Sequence, residues 1–465
     1  MEVCQPLLTE IEYFDPVKYF NLFYSWQNII FLDSSMYHAD LGRYSYIGID
    51  PYKIITCKDR VIKIDNKISS LDDFWQILRA EIKVAAFSSI SGVGPFQGGI
   101  AGFFSYDFSR SIELLPTLSH DEFAHDDFAL GCYDLILSFD NLRRRAFIIS
   151  TGSPEKSDIG KLKRAKSRLD WLNNYLKKDI MQTNSSAKNM IVSTLTSNFS
   201  KNTYKKTVEK VKEYIYAGDV FEVNLAQRFK CRFSNKNSVD LYLKLRDSNK
   251  APFSAYVNIG ETTILSSSPE RFIKLENNKI EARPIKGTIK RSMLDFDDRK
   301  LAKTLQQSPK DRAENIMIVD LMRNDLSRVA IPSSVSVDIL CGLETYTNVH
   351  HLVSVITAEL KHNHDSISLL QACFPGGSIT GAPKIRAMEI IDELEPQRRG
   401  PYCGSLGYIG GNGNLDLSIL IRSIVIKGDN LTFHSGGAIT LDSDPEQEWN
   451  ETLLKAEALK TILKA

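Results

Sequence analysis

Tyr204, Val208, Val211 and Ile215 recur at the spacing of one helix face, and Gly218 follows where such a helix would end. Beyond them the pattern shortens to strand-like runs at 254–259, 262–266 and 279–285, then at 406–410, 417–426 and 431–434. Three further helices are predicted among these runs. One begins at Ser308-Pro309, a serine cap with proline at the first helical position. Another follows Thr380-Gly381-Ala382-Pro383. The last begins at Asp444-Pro445, with Gln447 three residues past the aspartate as in a capping box. Upstream, the chain reads as β-rich with a few helices: strands at 135–137 and 146–150 flank a polar turn at 141–145, and a helix spans 157–177. Residues 178–203 are poor in large apolar side chains and rich in Ser, Thr, Asn and Lys, the composition of a linker or long surface loop. The chain therefore divides into 1–177, the 178–203 connection and 204–465. Strands and helices do not alternate regularly, which predicts an α+β fold with antiparallel sheets rather than a doubly wound one.

Composition narrows the function classes. The 465 residues are 43% hydrophobic and 25% charged, with a net charge of +1, so a general nucleic-acid or anionic-membrane binder is not expected. The start, Met1 to Pro6, has neither a basic region nor a long apolar run, and a secretory signal is not expected. The seven cysteines are scattered and form no CxxC pair, which reads as reduced thiols in a cytoplasm. No metal-spaced histidine cluster occurs, and in the pair His350-His351 the two side chains point different ways.

Several local patterns carry candidate chemistry. Pro284-Ile285-Lys286-Gly287-Thr288 puts a lysine in the turn after the 279–285 strand, and burial there would lower its pKa and make it a nucleophile. Ser268-Pro269-Glu270-Arg271-Phe272 places Glu270 one hairpin upstream, so that an acid and an amine can meet across adjacent strands; a structural Glu–Lys pair is the plainer reading. On the last helix Glu448, Glu451 and Lys455 share a face, which suits either a solvated Glu-to-Lys pair or Mg²⁺. Glu314 sits near the start of the Ser308-Pro309 helix. Arg422 alternates with Leu420 and Ile424, so it points to a buried side and needs an anion, either a protein carboxylate or a ligand carboxylate. The glycine-rich loop 374–384 and Gly436-Gly437 offer backbone for close approach to a ligand.

Taken in order along 204–465, these motifs resemble the chorismate-utilising enzyme family. The resemblance rests on 268–272, 284–288, the Glu314 helix with Ile318-Val319-Asp320-Leu321, His351-Leu352 with Ser354, 377–384, Arg422 and 448–455. In the N-terminal part it is carried by Leu32-Asp33-Ser34 and Gly42-Arg43-Tyr44-Ser45. It implies two large antiparallel β-sheets packed as a sandwich with helices outside. Anthranilate-forming members carry alanine at the position of Lys286, so the lysine implies the branch that converts chorismate and ammonia to 4-amino-4-deoxychorismate, a precursor of 4-aminobenzoate and folate. Anthranilate formation, or a non-catalytic chorismate or tryptophan sensor, is the alternative.

For the site, the resemblance implies covalent attack by Lys286 on the ring, with Glu270 as general acid and His351 near the ring carboxylate. Mg²⁺ would be held by Glu314 and Glu451 with Glu448 close by. Arg422 would pair with the enolpyruvyl carboxylate, helped by Tyr408, Lys455, Gly436 and Gly437, and Thr380 would line the pocket. A separate glutamine amidotransferase subunit would supply ammonia. Ser34, Leu41, Gly42, Arg43, Tyr44, Pro252, Phe253 and Ser254 match a region that binds L-tryptophan in this family.

Overall fold

A computed structural model describes residues 5–36, 41–71, 73–179, 193–233, 238–346 and 349–464. Two 12-stranded sheets organise it, and their ladders run antiparallel. The first sheet takes strands from Leu7–Ile11, Ile29–Asp33, Tyr44–Gly48, Leu135–Asp140 and Arg145–Ser150, and continues through Phe253–Ile259, Thr262–Ser268, Ser423–Lys427, Asn430–Ile439 and Glu222–Arg232. The second joins Lys53–Lys58, Gly99–Phe104 and Phe128–Tyr133 to Ser405–Gly410, Leu415–Ile419, Arg271–Glu276, Lys279–Ala282 and Val349–Glu359. Regions 1–177 and 204–465 thus contribute strands to both sheets. They meet where Phe31 pairs with Tyr256 and where Ala101 pairs with Tyr408.

Apolar side chains decide the layering. Ile30, Phe103, Val257, Ile264 and Leu406 come from the facing sides of the two sheets and form one buried cluster between them. The other face of the first sheet is covered by helices that contribute Phe20, Leu172, Leu241 and Leu459. The outer face of the second is covered by helices that contribute Leu78, Ile318, Met322 and Leu370. Each such side chain buried contributes roughly 1.5–3 kcal/mol. This is the expected sandwich with helices outside.

The cap signals hold. The helix Pro309–Ser327 starts with the Asp311 amide donating to Ser308 Oγ at 3.3 Å, and Pro445–Lys464 starts with the Gln447 amide donating to Asp444 Oδ1 at 2.9 Å. The helices Lys201–Tyr216 and Asp158–Asp179 also lie where periodicity places them.

Four expectations change. The 279–285 run splits into Lys279–Ala282 and Ile285–Lys290, because Pro284 has no N–H to give a ladder. Lys286 therefore lies within a strand, not in a turn. The 417–426 run splits into Leu415–Ile419 in the second sheet and Ser423–Lys427 in the first. Arg422 stands at the crossing with φ 53°, so strict alternation does not set its direction. The 178–203 stretch is not all loop: Thr196–Ser197 pairs with Glu222–Arg232, and a helix begins at Lys201. Residues 180–192 of that stretch lie outside the described residues. Finally, Glu222–Arg232 and Val349–Glu359 are full strands that the apolar pattern alone did not single out.

Candidate active site

The site forms where the chain passes between the sheets. Pro269 interrupts the ladder after Thr262–Ser268, and the chain enters the second sheet at Arg271. It returns to the first sheet through Leu420 to Arg422. The two crossings lie side by side: Ile419 N–H donates to Glu270 O at 3.1 Å, and Ser267 N–H to Arg422 O at 3.2 Å.

Lys286 enters from the strand Ile285–Lys290. Between the pairs Ile285–Val353 and Thr288–His351 the register slips, a bulge that re-aims its residues. Gly287 permits it with φ 86°, and a Cβ there would lie 2.9 Å from Asp311 Oδ1. The Lys286 side chain is buried, and its Nζ donates to Glu222 Oε1 at 2.6 Å. Burial pulls the ammonium pKa down, but the Glu222 carboxylate, with Glu314 and Glu270, outweighs it, so the net shift is upward. That reverses the expected lowering: the sequence suggested burial, but not the carboxylate waiting for the ammonium. Glu222 itself is fully buried, its Oε1 also receives Asn224 Nδ2 at 3.3 Å, and its Oε2 has no hydrogen-bond partner among the described residues.

Glu270 is buried beside this pair. Burial pushes its carboxyl up to about 7, against the hydrogen bond from Ser378 and the Lys286 charge. Ser378 Oγ donates to Glu270 Oε1 at 2.6 Å. The hairpin expectation holds to this extent: the Ile285 backbone N–H donates to the Glu270 carboxyl, and the charge of the next residue, Lys286, acts on it. The amine, however, pairs with Glu222.

Two helices bring the acidic groups. Glu314, from Pro309–Ser327, is raised to about 7 by burial, opposed by Lys286 and Lys310. Glu448 is buried and raised by that burial, while Glu451, whose side chain reaches solvent, is lowered because Lys455 outweighs its desolvation. Lys310 Nζ lies 3.9 Å from Glu314 and 3.8 Å from Glu448, spanning the two helices. A Cβ on Gly437 would sit 3.2 Å from Glu448 Oε2 and 3.3 Å from Glu451 Oε1, close enough to push these carboxylates by a few tenths of an ångström.

Among the described residues no three His, Cys, Asp or Glu side chains close into a ready-made metal group. The donor set nevertheless fits a hard cation that keeps several waters. Glu314 Oε1 is buried without a hydrogen-bond partner among the described residues, and the ammonium of Lys310 already stands between Glu314 and Glu448.

Lys455 donates to Gly436 O at 3.1 Å and pairs with Glu451 at 2.6 Å, and its own carbonyl receives Arg422 Nη1 at 2.9 Å. Burial lowers the Arg422 pKa, and among the described residues it makes no salt bridge. Of the two anions left open for it, a protein carboxylate is not the one found. His351 faces the same space: its Nδ1 lies 2.8 Å from Thr288 Oγ1, and burial, with Arg422 and His350 nearby, lowers it to about 4. His350 points the other way, to Asp298 at 3.0 Å. Thr380 is buried beside the Glu222 strand, its carbonyl accepting from Asn224 N–H at 2.8 Å.

Tyr408 does not join this group. Its ring stacks on Phe96 at a centroid distance of 4.5 Å and lines a separate cavity of about 780 Å³. Strand alternation turns it to the space between the sheets, away from Arg422. The same cavity is lined by Ser34, Leu41, Arg43, Tyr44, Pro252, Phe253 and Ser254, seven of the eight residues assigned to an amino-acid site; Gly42 is not among its lining residues.

Glu222, Ser378 and Lys310 are the site residues that sequence reasoning missed. Glu222 was legible as a charge in the run Phe221-Glu222-Val223-Asn224-Leu225, where it shares a face with Asn224 opposite Val223 and Leu225.

Comparison with known proteins supplies the family. The chorismate binding enzyme family matches residues 32–461. Aminodeoxychorismate synthase component 1 of Escherichia coli (strain K12) is 40% identical over 426 residues, covering 90% of this chain and 89% of that protein. Anthranilate synthase component 1 of Aquifex aeolicus (strain VF5) is 38% identical over 365 residues, covering 78% of this chain and 74% of its own. The crystal structure of anthranilate synthase component I from Streptococcus pneumoniae TIGR4 superposes with a TM-score of 0.80 at 27% identity, covering 92% of this chain and 94% of that one. The chain belongs to the chorismate binding enzyme family.

Proposed function

We propose that the chain is the aminating component of an aminodeoxychorismate synthase, converting chorismate and ammonia to 4-amino-4-deoxychorismate through a covalent bond to Lys286. The observation that carries this reading is Lys286 itself, buried beside a carboxyl group, Glu270, whose pKa of about 7 leaves it protonated in part at neutral pH. The amine of Lys286 forms a bond to C2 of the ring, the ring double bonds shift, and the C4–O bond breaks. Glu270 gives its proton to the departing hydroxyl, which leaves as water. Ammonia then bonds to C4, the double bonds shift back, and the C2–N bond to Lys286 breaks. Glu270, now a carboxylate, takes a proton from the new amine. The enolpyruvyl group stays on the product.

Arg422 is the natural partner for the enolpyruvyl carboxylate, because it is half-buried and, among the described residues, its guanidinium is bound only to the Lys455 carbonyl. The Gly436 and Gly437 backbone leaves room for close approach, and His351 and Thr380 bound the pocket. His351 is neutral at pH 7, so it acts by hydrogen bonding rather than charge. Glu314 and Glu451, with Glu448 close by, would hold Mg²⁺. When bound, it supplies charge for the ring carboxylate and draws electron density from the ring.

A glutamine amidotransferase subunit would deliver ammonia, free ammonium substituting for it in vitro. The cavity beside Tyr408 has the size of a small-ligand site and would take L-tryptophan. Among the described residues no helix can cross a membrane. The six described cysteines are buried and free, as suits a cytoplasmic enzyme.

A mass-spectrometric product assay with the purified chain, chorismate, Mg²⁺ and ammonium tests the reading. A product that becomes 4-aminobenzoate only when a separate lyase is added is expected. Anthranilate with pyruvate would assign the chain to the other branch.

A further inference from the structure

The covalent step leaves one proton without a destination. In the ground state Lys286 is an ammonium, held so by the carboxylate 2.6 Å away. An ammonium has no lone pair, so attack on the ring cannot start until that proton moves. Bulk water is a poor acceptor here, since both side chains of the pair are buried.

The charged groups that face Lys286 limit the choice of acceptor. Glu270, from the crossing between sheets, must enter the step already protonated to release the C4 hydroxyl, and its Oε1 is occupied by Ser378. Glu314 and Glu451, from the two helices, act on Lys286 only through space; neither makes an ion pair with it. Asp311 lies against Gly287 rather than against the amine. Glu222 alone among the described residues touches the nitrogen. Its Oε1 is fixed by Asn224 Nδ2, while its buried Oε2 has no hydrogen-bond partner among the described residues and is open to a proton.

We propose that Glu222 is a second catalytic carboxyl group, the base that takes the proton of Lys286 as its nitrogen attacks and returns it when the lysine leaves. The balance closes within the pair. The proton passes from nitrogen to Glu222 while the C–N bond forms. When ammonia displaces the lysine, the C–N bond breaks, the freed amine recovers the proton from Glu222, and the starting ion pair is restored. Glu270 handles the hydroxyl and the incoming amine on its own account, so the two carboxyl groups divide the proton traffic. The assignment rests on Lys286 being the nucleophile.

The test is the rate at which chorismate and Mg²⁺, without ammonium, add mass to the Lys286 peptide, compared at each pH from 6 to 10 for the wild type and Glu222→Gln. Taking the ratio cancels the titration of Glu270. For Glu222→Gln the ratio is expected near one hundredth at pH 6, the usual size of general-base catalysis, about 10²-fold or more. It should climb with pH as hydroxide takes over the proton. Glu222→Asp, which keeps a carboxylate, should be slower by a constant factor with no climb. Equilibrium dialysis showing that Glu222→Gln still binds chorismate establishes that the variant is folded. A ratio of one at every pH, or a Glu222→Gln ratio that is low but flat, overturns the proposal. If Glu222→Gln does not fold, Glu222→Asp decides: an unchanged rate overturns it. A wild type that labels no lysine at all would instead sink the reading of Lys286.

Discussion

Replacing Ser378 with alanine should make the first chemical step faster at alkaline pH. Glu270 must be protonated to act as an acid, and its carboxyl is held at about 7. At pH 8 only about one molecule in ten then carries the proton, and the rate falls tenfold for each further unit. Ser378 Oγ donates to Glu270 Oε1 at 2.6 Å, and a hydroxyl that donates to a carboxylate stabilises the ionised form. Removing it raises the pKa. A hydrogen bond to a charged group contributes about 1.5–3 kcal/mol, which at 1.36 kcal/mol per unit is a rise of about one to two units. The protonated fraction at pH 8 then grows from about a tenth to about half or more. The assay is single-turnover labelling of Lys286 by chorismate without ammonia, followed from pH 6 to 10. The expected result is an alkaline limb displaced upward in Ser378→Ala, with the variant about fivefold faster than the wild type at pH 8. A limb that stays in place or moves down would refute both the hydrogen bond's role and the assignment of Glu270 as the acid.

Other consequences follow from the same geometry. Lys286→Ala should bind chorismate but show no mass adduct and no 4-amino-4-deoxychorismate, read by intact-protein and product mass spectrometry. Because the Glu270 carboxyl is raised from 4.5 to about 7, the stability it lends is present below 4.5 and lost as pH rises through 7. Glu270→Gln, which cannot ionise, should therefore gain in Tm relative to the wild type between pH 5 and pH 8, and a constant difference by calorimetry would contradict this. Gly437→Ala puts a methyl 3.2 and 3.3 Å from the Glu448 and Glu451 oxygens; the Mg²⁺ needed for half-maximal activity should rise several-fold, with the fold unchanged by circular dichroism. L-tryptophan should raise the Tm through the cavity beside Tyr408, by about 2.7 kcal/mol of stability at a hundredfold excess over Kd, and no shift at saturating concentrations would exclude that ligand.

What the sequence made legible and what it did not have physical reasons. Caps are local: Ser308 and Asp444 start helices because their side chains reach amides within three residues, and nothing distant enters. The ladder between 262–268 and 253–259 is likewise set by a short turn. The motif residues Lys286, Glu270, Glu314, Glu448, Glu451, Arg422, Lys455 and His351 were placed at one site by resemblance, and the fold gathers them. Tyr408 failed because alternation along its strand turns it, with Leu406, to the space between the sheets, where it lines the separate cavity. Glu222 failed because its meaning depends on a residue 64 positions away. A lone carboxylate in an apolar run looks like an edge position until the ammonium that meets it is known.

The division of the chain at 178–203 has a related lesson. It marks a change in composition, yet both sheets draw on either side of it, and the site depends on that sharing. Glu270 and Arg422 occupy two of the places where 204–465 steps from one sheet to the other. At such a step the backbone leaves the ladder, and side chains no longer alternate between core and surface. Ser268 Oγ donates to Ile419 O at 2.6 Å and ties the two steps together. A carboxyl group such as Glu270 can therefore sit deep in the molecule without displacing core residues from either sheet. The 1–177 strands, by extending both sheets, fix the separation at which the crossings lie. Strain introduced at the Phe31–Tyr256 contact, far from the chemistry, should consequently alter Glu270 and Arg422 together. Phe31→Ala is expected to lower both the rate of Lys286 labelling and the affinity for chorismate, where a purely local defect would lower neither.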